Sequence, residues 1–162
     1  MSVALCLSLR ARGLPQLRGQ VLIYPGLGAD TETESYRRNA HAPCLTRDEM
    51  IFYLDSFLGP RDGGNWRDPQ AVPNLAEDLS RLPPAFIAVA EHDPLCDDGI
   101  IFHRKLEAAG IDCRLRREPA LAHSYMRARH VSAPAMAGFT AIVAAIHLLA
   151  HEGMLPGRTN FQ

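Results

Sequence analysis

Residues 85–99 read Ala-Phe-Ile-Ala-Val-Ala-Glu-His-Asp-Pro-Leu-Cys-Asp-Asp-Gly, and this stretch decides the fold. The first six residues are apolar without alternation, the mark of a strand covered on both faces. Pro83 and Pro84 precede the run, and the polar cluster Glu91, His92, Asp93 closes it. Asp97 or Asp98 can cap a helix that continues to Ala109, where Gly110 stops it, and residues 112–117 form the next strand. Strand, helix, strand in this order is a parallel crossover, right-handed by the general rule. An α/β architecture follows, with at least three parallel strands and helices on both faces.

Working outward, Gln-Val-Leu-Ile-Tyr at residues 20–24 is a second short apolar run, closed by Pro25 and Gly26, and supplies another buried strand. Before it, residues 2–12 are rich in Leu and Ala, free of Gly and Pro, and stopped by Gly13 and Pro15, which predicts a buried helix. Residues 28–42 are polar without a clear period and are expected to be irregular. Thr46 and Glu49 form a capping box ahead of Met50, Ile51, Leu54, Phe57 and Leu58 at helical spacing, so a helix is predicted over residues 47–58. Pro, Gly and Asp make residues 59–74 a loop, and an apolar-rich helix over residues 134–152 closes the fold before Gly153 and Pro156.

The 162 residues are 47% hydrophobic and 22% charged, which excludes a disordered tail or a fibrous repeat and fits one domain spanning the whole chain. At this length roughly 70% of the unfolded surface leaves water, enough for a core without metals or disulfides. Lys and Arg number 17 against 18 Asp and Glu, so no basic field for a nucleic-acid partner exists. Cys6, Cys44, Cys96 and Cys113 show no C-x-x-C spacing, which implies a reduced, cytoplasmic protein. No positive residue precedes the apolar stretch at residues 1–9, unlike a signal peptide. The apolar stretch at residues 141–150 contains His147 and falls short of the about 20 residues of a membrane span.

In open parallel sheets ligands gather beyond the carboxyl ends of the strands. Asp93 lies three residues past one apolar run, and His123 lies in the loop after the following strand. One crossover helix between them brings both to one sheet edge, where the carboxylate can fix the imidazole tautomer and the imidazole can act as general base. On spacing alone, an Asp before Pro is also a routine turn residue, and a loop histidine is often a solvated bystander. Glu91 is the fallback acid. His41, His92, His103, His130, His147 and His151 read as surface or packing residues, and Asp93, Cys96 and Asp97 lack regular metal-ligand spacing. No metal and no cofactor is expected.

Four segments carry a resemblance: Leu-Thr-Arg-Asp-Glu-Met at 45–50, Asp-Leu-Ser-Arg-Leu-Pro-Pro-Ala at 78–85, Ala-Glu-His-Asp-Pro-Leu-Cys-Asp-Asp-Gly at 90–99 and Lys-Leu-Glu-Ala-Ala-Gly-Ile at 105–111. With Gln-Val-Leu-Ile-Tyr-Pro at 20–25, they resemble, in order, the hormone-sensitive-lipase-like esterases of the α/β-hydrolases. The resemblance runs from about Val3 to His151. It implies that Asp93 and His123 are the acid and base of a Ser-Asp-His triad acting on a small ester, and that the helix over 47–58 lies near the substrate entrance. Family members usually carry Gly and an aromatic residue after this His, whereas here Ser124 and Tyr125 follow.

The family's G-x-S-x-G elbow and glycine-rich oxyanion loop are absent: none of Ser2, Ser8, Ser35, Ser56, Ser80, Ser124 and Ser132 has flanking glycines in that pattern. By the resemblance, the helix over 2–12 is the one that follows the elbow. The expectation is thus the C-terminal half of an esterase, inactive as it stands, whether a fragment, a truncated gene model or a decayed paralogue. The competing expectation is a non-catalytic interaction module on half a hydrolase scaffold. An intact small hydrolase using Ser124 is disfavoured, because neighbouring loop residues seldom place Oγ on the preceding imidazole. A half-fold also predicts an open, apolar strand edge at residues 20–24, and hence self-association.

Overall fold

The computed structural model describes residues 1–157 of the 162. At its centre is β2 (Ala85–His92), in which every residue from Ala85 to Ala90 is buried. β1 (Gln20–Ile23) pairs with one side of it in parallel, with Gln20 opposite Ala85 and Ile23 opposite Ala88, and β3 (Cys113–Ala122) pairs in parallel with the other. The unalternating apolar run arises because both faces of β2 are covered.

Ala85, Ile87 and Val89 face one helical layer, with Leu22 of β1, Val3, Cys6 and Leu7 of α1 (Ser2–Ala11), and Phe102 and Leu106 of α4 (Cys96–Ala108). Phe86, Ala88 and Ala90 face Ala135, Ile142, Ala145 and Leu149 of α5 (Ala133–His151). α1 buries Val3, Cys6 and Leu7 on one face while Leu5 on the other is exposed, so the expected buried helix is covered on one side only. α5 is capped by Ser132, runs 19 residues and is by length and composition apolar enough to cross a membrane, longer than the stretch that follows Ala141 suggests. Its buried face packs on the sheet.

α3 (Arg47–Leu58) forms as expected: the Thr46 hydroxyl accepts from Glu49 N–H at 3.2 Å and the Glu49 carboxylate accepts from Thr46 N–H at 2.8 Å. It buries Met50, Leu54 and Leu58 in a third cluster with Tyr36 and Leu95. Residues 28–42 are not irregular throughout. They contain a five-residue helix, α2 (Glu34–Arg38), whose Tyr36 is fully buried in that cluster.

β3 does not stop at Arg117. It continues to Ala122 through Pro119, and between Ala90 and His92 it spends two more residues than β2 does. The extra residues form a bulge in which Ala120 adopts a positive φ of 56°. Pro119 is tolerated because the ladder is already interrupted there. The Ala120 N–H donates to Glu91 Oε2 at 2.9 Å, which uses the fallback acid of the sequence reading as a structural acceptor.

Gly99 of α4 lies close against β2, where a Cβ would lie 2.4 Å from Val89 Cγ1. Gly99→Ala is therefore expected to destabilise the chain by about 1–3 kcal/mol, since neither the helix nor the central strand can yield without opening the core. Urea unfolding at equilibrium measures this, and an unchanged midpoint would show that the helix–sheet contact is loose.

Candidate active site

Asp93 leaves β2 at its carboxyl end and turns at Pro94 into α4. The carboxylate is fully buried. Its Oδ1 accepts the Leu95 N–H at 2.9 Å, an Asx turn that starts the helix, and its main-chain carbonyl accepts the Cys96 N–H at 3.1 Å. Its Oδ2 lies 2.8 Å from Nδ1 of His123, which follows directly on β3. The two residues that sequence spacing brings to one sheet edge are thus in direct contact.

This contact fixes the imidazole chemically. An ionised Asp93 can only accept, so Nδ1 carries the proton and Nε2 presents its lone pair. Among the described residues no hydrogen bond occupies Nε2, and the His123 side chain is 18% exposed, so one ring edge faces outward while the other is sealed. The ring rests on Tyr24, with centroids 4.7 Å apart at a tilt of 59°. Tyr24 sits at the carboxyl end of β1 with a φ of 37°, and its N–H is held by the Ala88 carbonyl at 2.7 Å. Burial, and then the charge of Asp93, push its phenol above the usual range, so it stays protonated. The sequence reading passed over Tyr24, although its place at the end of an apolar run before Pro25 is the signal that marked Asp93.

Ser124 has a left-handed backbone, φ 62°, and makes no hydrogen bond to the His123 ring among the described residues. Glu91 pairs with Arg117 at 3.2 Å instead of approaching His123. His92 is exposed at the strand end.

Asp97 and Asp98 do not cap α4, which has no side-chain cap. Asp97 Oδ2 accepts Ser35 N–H at 2.7 Å, and Asp98 Oδ2 accepts Leu27 and Gly28 N–H at 2.9 and 2.8 Å. Both are spent on tertiary contacts that local sequence cannot reveal.

A family model described as alpha/beta hydrolase fold matches residues 1–127, a span that includes both Asp93 and His123. The chain belongs to the α/β-hydrolase family. Among curated relatives, the chain is 40% identical over 140 residues to carboxylesterase NlhH of Mycobacterium tuberculosis H37Rv, covering 83% of the chain and 44% of that protein. It is 38% identical over 127 residues to esterase LipI of the same strain, covering 77% and 39%. Among solved structures, a thermostable esterase from Pseudomonas putida superposes with a TM-score of 0.79 at 31% identity, covering 91% of this chain and 46% of that one. An esterase of Pyrobaculum calidifontis gives 0.84 at 27%, covering 91% and 48%. The chain spans less than half the length of these relatives.

One titration follows from the site. Desolvation pushes the Asp98 carboxyl up from its ordinary 3.8 to about 6, against the opposing pull of the Gly28 and Leu27 N–H groups, and the charges of Asp93 and Asp97 add to the rise. A raised acid binds its proton more tightly in the folded state. Its contribution to stability is therefore present below about pH 4 and is lost as pH rises through about 6. Asp98→Asn is expected to flatten that slope, so that the variant gains on the parent by about 2–3 kcal/mol between pH 4 and 6. Chemical denaturation across this range measures the difference, and parallel curves would contradict the assignment.

Proposed function

We propose that this chain supplies the acid and the general base of a carboxylic-ester hydrolase, with a small ester as substrate. The observation that carries the reading is the 2.8 Å contact between a fully buried carboxylate and a partly exposed histidine at the carboxyl ends of adjacent parallel strands. Membership of the α/β-hydrolase family and likeness to several esterases support it.

In this reading His123 Nε2 removes the proton of a serine hydroxyl as the serine oxygen adds to the ester carbonyl. Asp93 holds Nδ1–H and stabilises the imidazolium. Collapse of the tetrahedral adduct breaks the bond to the alcohol oxygen, and the imidazolium returns its proton to that oxygen. Water then repeats the sequence on the acyl-serine, with His123 again the base, and releases the acid. Residues 1–162 contain no G-x-S-x-G, so the serine and the oxyanion donors come from polypeptide outside them.

The 162-residue chain alone should hydrolyse p-nitrophenyl esters no faster than its Asp93→Asn, His123→Ala variant. Joined to a strand and elbow supplying the serine, it should become an esterase in which Asp93→Asn lowers kcat by about 10⁴-fold and His123→Ala by about 10⁶-fold. Near-normal kcat after His123→Ala would end the reading.

A second reading, a non-catalytic assembling module, draws on the open strand edge that a half-fold exposes. β1 has no neighbour on its outer side among the described residues and carries no charge or proline. Gln20 and Tyr24 N–H bond toward the β2 side, which leaves Val21 and Ile23 N–H directed outward. Leu5 of α1 and Val143 and Ile146 of α5 are exposed. In this proposal each chain is one partial domain and two copies associate through β1, in a reducing, cytoplasmic setting that suits four cysteines without a disulfide. Light scattering over a dilution series should report a mass above the monomer that falls on dilution, and a strict monomer throughout would refute it.

A further inference from the structure

The β2–β3 ladder breaks step at Glu91, just before the chain presents Asp93. The ladder resumes at His92 only after two extra residues of β3, and further groups that fix this strand end come from α2 and its C-terminal cap residue, Asn39. The Asn39 amide nitrogen donates to the Glu91 carbonyl and to the Asp93 carbonyl, each at 3.1 Å. The side-chain amide offers two N–H groups on one uncharged nitrogen, one for each carbonyl. One helical turn earlier, Ser35 Oγ donates to the Pro94 carbonyl at 2.6 Å and accepts the Asp97 N–H at 3.1 Å, while Ser35 N–H donates to the Asp97 carboxylate. Both side chains are buried, and Tyr36 between them anchors α2 in the third cluster. The main chain on both sides of Asp93 is thus gripped by two residues that, among the described residues, make no hydrogen bond to His123.

We propose that Ser35 and Asn39 are positioning residues that hold the Asp93 main chain so that its carboxylate meets His123. The inference rests on Asp93 and His123 forming an acid–base pair, and it assigns a purpose to the otherwise polar segment Glu34–Arg38. Slackening either grip lets the backbone at 91–97 drift outward, lengthens the Asp93–His123 contact and weakens the charge stabilisation of the imidazolium.

The test is an NMR titration of His123 in the 162-residue chain, its signal assigned with His123→Gln. Asp93→Asn lowers the His123 midpoint, because the partner charge is gone. Ser35→Ala and Asn39→Ala lower it in the same direction, by at least about threefold in proton affinity. Ser35→Thr, which keeps the hydroxyl, returns it toward the parent. Ile142→Val, which loosens the core under α5 away from the grip, leaves it unchanged. Asn39→Ser keeps one donor and serves if Asn39→Ala does not fold. If Asp93→Asn shifts the midpoint while the Ser35 and Asn39 variants do not, the positioning role is overturned and the pair stands. An unmoved midpoint in Asp93→Asn removes the pair itself and this inference with it.

Discussion

A carboxylate with no access to water has to be surrounded by donors, and Asp93 is such a carboxylate. Leaving a buried charge unpaired costs several kcal/mol, against about 1 kcal/mol for an ordinary hydrogen bond made or lost. The Leu95 N–H and the His123 ring meet that demand from two directions. The next two acids extend the same logic. Asp97 takes the Ser35 N–H from α2, and Asp98 takes two N–H groups from the segment leaving β1. Six consecutive residues therefore tie the exits of all three strands together, and the surrounding loops are arranged around the needs of three carboxylates.

The bulge in β3 complements this arrangement. In an unbroken ladder the partner of His92 would lie two residues earlier in β3 than Ala122, and His123 would be carried past the sheet edge. The two extra residues delay β3, so that the imidazole arrives level with the Asp93 carboxylate. Glu91 then closes the exposed side of the bulge through Ala120 N–H and Arg117. Tyr24, reaching across from β1, backs the ring. Each strand contributes one residue at its carboxyl end, and these three side chains define the candidate site.

What could be read in advance was the chemistry that is local in sequence. The run from Ala85 to Ala90 is apolar because both faces of the strand are covered, and Thr46 with Glu49 forms a cap whose partners lie three residues apart. Topology, given two strand ends, places Asp93 and His123 on one edge, and the resemblance to the esterases singles them out from routine turn and loop residues. The rest depends on contacts distant in sequence. The segment Glu34–Arg38 has one apolar residue, Tyr36, too few to show a helical period. Asp97 and Asp98 stand where a cap would, yet tertiary N–H groups claim them. Pro119 would ordinarily end a strand, and only the bulge lets β3 run on to Ala122.

The bonds around Asp93 have a further property in common: those from residues 27–39 reach across 52 to 71 positions of chain. Closing a loop of that length carries an entropic cost that grows only logarithmically with its size and is incurred once, by whichever contact forms first. Every later bond between the same two segments then closes almost no additional chain. The seven hydrogen bonds consequently behave as a cooperative set, and a peptide cut to residues 85–127 would keep Asp93, His123 and the Leu95 N–H while lacking all seven bonds that hold the surrounding main chain and the two neighbouring acids.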